Sequence, residues 1–234
     1  MSQVQKIYPY RPPQALADNL WQVQGSLPFP VPRNMTVYRL PDGRLVLYSV
    51  VAMHEEGMRA LEALGTPAIM IMPHDRHQMD APFYKERYSA LRVLAPDPSS
   101  ARTVAVDGEL HELAALDIGA YSLPGTNYHE VVLELPIAGG IALCATELLS
   151  NVPSPGGVFG LAMKLFGPPG GGFGVARAVR FREVVDRQKV RAWLTGLAER
   201  ADTPSGVTKR VLRMVLVGHG DALTANVASE LRRA

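Results

Sequence analysis

A single cysteine, Cys144, occurs among 234 residues. That excludes an intrachain disulfide and suits a reducing compartment. The thiol stands inside Ile141-Ala142-Leu143-Cys144-Ala145, and in such an apolar run it reads as buried and inert rather than nucleophilic. Long hydrophobic runs are also missing, since no window approaches the roughly 18 apolar residues of a membrane helix. Met1 to Pro13 lacks the apolar core of a signal peptide. The expectation is a soluble, cytoplasmic protein with no membrane partner. No charge sign dominates either: 24 Lys and Arg face 22 Asp and Glu, a net +2. Nothing in that balance calls for nucleic acid. Arg177, Arg180, Arg182, Arg187, Lys189 and Arg191 form the one basic cluster, read as a solvated helix face with an anion site as the alternative.

What is present is ordinary globular composition, 47% hydrophobic and 20% charged, in a chain long enough for a substantial core. Without an internal repeat or a clean boundary, residues 1–234 read as one domain with an N-terminal extension over 1–18. Strand-like and helix-like segments interleave, which predicts an α/β or layered α+β fold. Leu20 to Gly25 reads as a strand, followed by a turn over Pro28 to Pro32. Met35 to Leu40 and Arg44 to Val50 alternate as a hairpin around Pro41-Asp42-Gly43. Glu55 to Leu64 reads as an amphipathic helix closed by Gly65. A buried strand over Ala68 to Met72, a helix from Ala81 to Tyr88 and a strand over Arg92 to Ala95 follow. Asp107-Gly108 suggests a hairpin between Thr103–Val106 and Glu109–Leu113. Val131 to Leu135 pairs with Ile141 to Ala145. The glycine run from Gly167 to Gly174 lacks the Lys-Ser/Thr pair of a phosphate loop and reads as a flexible connection. Helices over Arg182–Arg200 and Asp221–Arg233 flank a last strand, Met214 to Val217.

Two turns carry the chemistry. Ala68 to Pro73 runs into His74-Asp75-Arg76-His77-Gln78-Met79-Asp80, and Met214 to Val217 runs into Gly218-His219-Gly220-Asp221. A histidine at the end of a buried strand sits at a sheet rim, where α/β proteins place ligand and metal sites. His74, His77 and Asp80 are spaced by three, so a helical turn would put them on one face. Asp80 also precedes Ala81-Pro82 and reads as an N-cap. His77 reads as a capping residue or a ligand, and His129 as structural. His54 and His111 read as surface or capping residues.

With these segments in order, the chain resembles the metallo-β-lactamase fold superfamily, as a divergent branch, from about Asn19 to the C-terminus. Asn19 to Val23 is similar to the opening strand. Pro41 to Tyr48 is similar to the second hairpin, although Ser49-Val50-Val51 stands where an Asp-Thr-Gly turn is usual. Pro73-His74 stands where the His-x-His-x-Asp-His loop begins, and Pro124 to His129 where Gly-His-Thr occurs. Leu143 to Leu148 stands where a strand ends at a bridging Asp, and Val217 to Gly220 matches the last Gly-His-Gly turn. The resemblance implies an αββα sandwich of two mixed sheets flanked by helices, with the site at the rim.

In the metal loop, Arg76, Gln78 and Met79 replace a histidine, the aspartate and the last histidine, and Thr126 replaces the third. An ordinary two-metal site is therefore not expected. The resemblance leaves His74, His77, Glu147 and His219 as candidate ligands of one zinc or iron ion, or of none. Glu147 reads either as the bridging carboxylate with one more methylene or as a salt-bridge or helix-start acid. Arg76 would orient an anionic substrate group through its planar guanidinium. The implied activity is hydrolysis of an ester or phosphoester, with a small molecule as partner. The alternative is a metal-free binding or interaction module on the same scaffold, and a further reading is metal-free catalysis by a His–Glu pair.

Overall fold

The computed structural model describes residues 6–27, 31–96, 103–128, 130–153, 160–161, 165–168, 171–203 and 210–234. The chain divides into two compact units, Met1–Glu112 and Leu113–Ala234, each with its own sheet and core.

In the first unit, six strands lie side by side in chain order. They are β1 (Gln14–Ala17), β2 (Leu20–Gly25), β3 (Arg33–Arg39), β4 (Arg44–Tyr48), β5 (Thr66–Ile71) and β6 (Arg92–Leu94). The first four are antiparallel, and β4, β5 and β6 run parallel. β1 falls within residues 1–18 and pairs with β2. Asp42 closes the β3–β4 turn by accepting from the Arg44 backbone N–H at 3.1 Å. After the exposed Thr66, β5 carries the apolar run Pro67–Ile71, as expected of a parallel strand between two neighbours. Helix α1 (Glu55–Glu62) crosses over from β4 to β5 and buries Met58 and Leu61, three positions apart on one face. Helix α2 (Ala81–Arg87) sinks Tyr84 completely into the same core, where its hydroxyl donates to Val51 O at 2.8 Å.

The second unit is built around one long strand, β9 (Gly140–Val152). β7 (Gly119–Ser122) pairs with β8 (Val131–Ile137), and β8 with the first half of β9. β10 (Gly172–Val175) takes over along the second half of β9, while β11 (Leu212–Gly220) runs parallel to β9. That last ladder has a break. Val217 faces Ala145 and His219 faces Ser150, so residues 146–149 of β9 stand opposite Gly218 alone. The result is a bulge, a feature that re-aims side chains next to functional sites. Gly218 is required there, because a Cβ at this position would lie 2.6 Å from Thr146 O. Helix α3 (Arg177–Arg182), helix α4 (Arg187–Asp202) and helix α5 (Val227–Arg233) complete the unit. Asp186 caps α4 by accepting from Gln188 N and Lys189 N. Its Val190, Leu194, Leu197 and Ala198 join Leu143, Leu149, Val215 and Leu231 in the core.

Several sequence expectations are corrected. The hairpin over 103–113 is absent, because Asp107 is drawn onto β6. Its carboxylate accepts from Val93 N and Lys85 Nζ, and Gly108 bridges to Leu94. Leu110–Leu116 then coils into a 3-10 helix. The helix expected over 182–200 begins at Arg187, and a separate short helix ends at Arg182, since Val185 N and Asp186 N both donate to Gly125 O between them. The helix expected from Asp221 begins at Val227. The glycine run ends in strand β10 at Gly172–Val175, with residues 169–170 outside the described residues. Part of the Pro28 to Pro32 turn, residues 28–30, also lies outside them.

Candidate functional site

In the first unit His74 follows the C-terminal end of the interior strand β5, where it is buried, and His77 N–H donates to His74 O at 3.2 Å to close a turn. The turn brings the two imidazoles together, with ring centroids 4.9 Å apart and planes tilted by 55°. The Nδ1 edge of His74 meets the Asp75 carboxylate and the Arg76 N–H, each at 3.2 Å, so ligation at His74 would fall to Nε2. The Nδ1 of His77 is 2.7 Å from Ser49 Oγ, which likewise assigns Nε2 of His77 to any ligand.

Ser49 is held in the left-handed region at φ +59° and is buried. For a non-glycine residue this conformation costs about 1–2 kcal/mol, and such strain concentrates at functional positions. Ser49, at the position where the resemblance expects an acidic residue, thus puts a polar group on His77. Sequence reasoning missed this role, although Ser49 was visible at the position of the missing aspartate.

Two other turn residues, Gln78 and Asp80, are structural. Gln78 donates from Nε2 to Asp75 O at 2.7 Å, and its Oε1 accepts from Thr103 N at 2.8 Å. Asp80 occupies the N-cap position of α2 without a side-chain cap hydrogen bond. Its fully buried carboxylate instead accepts from Arg33 Nη2 at 2.5 Å and Ala52 N at 2.7 Å. Asp80 therefore stands at the N-cap as expected, but its carboxylate serves a buried ion pair with Arg33 rather than capping the helix. Arg76 is exposed on the histidine turn. His54 is exposed, and His111 lies at the surface beside Glu109.

In the second unit Glu147 sits inside β9 rather than at a strand end, because the strand continues through the bulge to Val152. His219 lies within β11, and its Nε2 is 3.4 Å from Glu147 Oε1, both side chains being largely buried. Glu130 organises the bulge from beneath. Its wholly buried carboxylate accepts from Thr146 N, from Thr146 Oγ1 at 3.0 Å, from Glu147 N at 3.1 Å and from Leu148 N at 3.3 Å. A carboxylate thus replaces the strand partner that 146–148 lack. Burial pushes the Glu130 carboxyl above the usual range, against the pull of the amide donors, and the nearby Glu147 charge adds to the rise. Glu130 was not singled out from sequence; its signal is an acid directly preceding the apolar strand Val131–Ile137. Thr126, at a lost histidine position, donates its hydroxyl to Leu123 O and Tyr128 O. His129 lies outside the described residues.

Each unit therefore pairs two of the four predicted ligands: His74 with His77, and Glu147 with His219. No protein-family model and no curated sequence matches the chain. Solved structures do. A metallo-β-lactamase from Erythrobacter litoralis in a mono-zinc form shares 11% identity over 94% of each chain, with a TM-score of 0.56. The metallo-β-lactamase of Pontibacter korlensis shares 12% over 94% of this chain and 96% of its own, at 0.56. FIM-1 from Pseudomonas aeruginosa, also in a mono-zinc form, shares 12% over 95% and 94%, at 0.55. The chain has the metallo-β-lactamase fold. With it come two sheets flanked by helices, as the resemblance implied. Within this fold the chain keeps a partial set of histidine and carboxylate side chains. Among the described residues no helix is long and apolar enough to cross a membrane.

Proposed function

We propose that this chain is a divergent metal-dependent hydrolase that holds one zinc or iron ion through His74, His77, Glu147 and His219. One distance carries the reading. Zinc binds imidazole nitrogen and carboxylate oxygen at about 2.0–2.2 Å, and two ligands of a tetrahedron of that size stand about 3.4 Å apart. His219 Nε2 and Glu147 Oε1 are separated by 3.4 Å. A charge-assisted hydrogen bond between the same groups would close to about 2.7–2.9 Å. The spacing suits two donors that share an ion better than a mutual ion pair.

Three imidazoles and one carboxylate make a donor set that suits zinc or iron. A bound ion would supply Lewis-acid polarisation and a more acidic water at neutral pH. The chain's own residues do the rest. Ser49 orients His77, the Glu130-bound bulge sets Glu147, and the exposed Arg76 receives an anionic group of the substrate. Gln78 is tied into the turn and cannot take a proton, so rate enhancement rests on polarisation and positioning. An ester or phosphoester with an anionic arm is the substrate class that these groups suit.

The test is metal content by mass spectrometry, beside a His219→Ala variant and with p-nitrophenyl ester and phosphodiester assays. Roughly one ion per chain, lost together with activity in the variant, supports the reading. No ion in either protein after zinc or iron supplementation refutes it, and leaves a metal-free binding module.

A further inference from the structure

The second unit contains a cavity of about 780 Å³ far in chemistry from the histidine turns. Its volume lies within the roughly 300–1,000 Å³ of small-molecule sites. Val190, Leu194 and Leu231 give it an apolar wall, and Arg180, Arg187 and Arg191 line it with positive charge. We infer that this cavity binds an anionic amphiphile, an acyl chain that ends in a carboxylate or phosphate.

The charges make the case. Arg232 and Arg233 also line the cavity, but they are matched by Asp202 and Glu230. Among the described residues, no carboxylate lies in ion-pair distance of Arg180, Arg187 or Arg191. Arg187 and Arg191 are four apart on α4, so their like charges repel on one face. Arg187 is moreover the first residue of the helix, where the dipole disfavours a cation. A fold gains nothing from that arrangement on its own, and an anionic ligand head would relieve it. An anion alone would leave the apolar wall unused. Phe181 and Val185, 75% and 69% exposed, neighbour Arg180 and Val184 in sequence. Arg180, Arg187 and Arg191 of the basic cluster are exposed, as a solvated face requires, and they also line the cavity.

The test is calorimetric titration of the whole chain with dodecanoate and with dodecyl phosphate, both kept below micelle formation. Saturable binding that weakens with salt is expected. An Arg187→Gln/Arg191→Gln variant should bind at least about tenfold more weakly, since each lost charge-assisted contact is worth that much or more. Arg59→Gln, on the first unit, and His219→Ala should bind as the wild type does, so failure of the metal site leaves this result intact. Unchanged melting temperatures show that the variants fold. Equal binding by the double variant, equal binding of inorganic phosphate, or binding only to vesicles of phosphatidylcholine and phosphatidylserine would each overturn the inference.

Discussion

Glu130→Ala should destabilise the second unit by about 3–5 kcal/mol. The carboxylate receives three backbone N–H groups, from Thr146, Glu147 and Leu148, together with the Thr146 hydroxyl. The hydroxyl can rotate to another acceptor, but the amides cannot, because the β9–β11 ladder skips them. Each orphaned buried donor costs about 1–3 kcal/mol, and water entering the vacated space keeps the sum toward the low end. Glu130→Gln keeps one acceptor oxygen but turns an NH₂ toward a donor, so about 1–3 kcal/mol is expected. The chain has two tryptophans, Trp21 and Trp193, one in each unit. In a Trp21→Phe background, Trp193 fluorescence during urea unfolding reports on the second unit alone. Trp193 is placed for this by its hydrogen bond to Tyr121 OH at 3.1 Å. A Glu130→Ala midpoint within 0.5 kcal/mol of the parent, taking a surface substitution as the yardstick, would refute the view that Glu130 replaces a strand.

Asp80→Ala should cost the first unit about 3–5 kcal/mol, because it leaves the Arg33 cation buried without its partner. Metal content should not change, and a loss of metal in a folded variant would make Asp80 a ligand after all. Ser49→Ala should lower zinc affinity about 10–100-fold by releasing His77, as loss of a ligand's hydrogen-bond partner does. Ser49→Gly should weaken zinc equally yet be more stable than Ser49→Ala, since glycine accepts φ +59° without strain; equal stability of the two would show that no strain is stored. Asp107 is held below its ordinary 3.8 by its hydrogen bond from Lys85 and by the Val93 amide. A lowered folded pKa means that its stabilisation is present above the unfolded value and fades as pH falls through the folded one. Asp107→Asn should therefore flatten the loss of stability below about pH 4, measured by urea midpoints; an unchanged acid slope would remove Asp107 from the account.

How much of this was legible depended on whether a residue acts locally. Alternation and turn chemistry located β2 to β5, because Pro41-Asp42-Gly43 and Gly65 punctuate the chain at the correct places. Asp107-Gly108 failed as a hairpin signal because its aspartate found Lys85 and Val93 N, contacts that sequence spacing does not reveal. Glu147 was placed at a strand end because the apolar pattern stops near Ala145, whereas the structure carries the strand across a bulge that a distant carboxylate sustains. His74 and His219 drew notice in the sequence because each follows an apolar run, and the structure places His74 just past β5 and His219 near the end of β11. Ser49, Arg33 and Glu130 were not, since each works through a partner at least 16 residues away.

Two of those residues, Ser49 and Glu130, share a logic. The chain departs from the resemblance chiefly in ligands that sit in turns, at Arg76, Gln78, Met79 and Thr126, yet the polar groups that hold the surviving side chains are buried and hydrogen-bonded. A buried carboxylate is costly to retain without donors around it, and Glu130 has four. A left-handed serine is costly to retain without a contact that uses it, and Ser49 has His77. Decay of an unused site would relax such costs first, because Glu130 and Ser49 each have cheaper replacements when the bulge and the histidine have no task. Their presence beside His77 and Glu147 is the physical argument behind the one-ion site proposed above, and the metal-content measurement decides it.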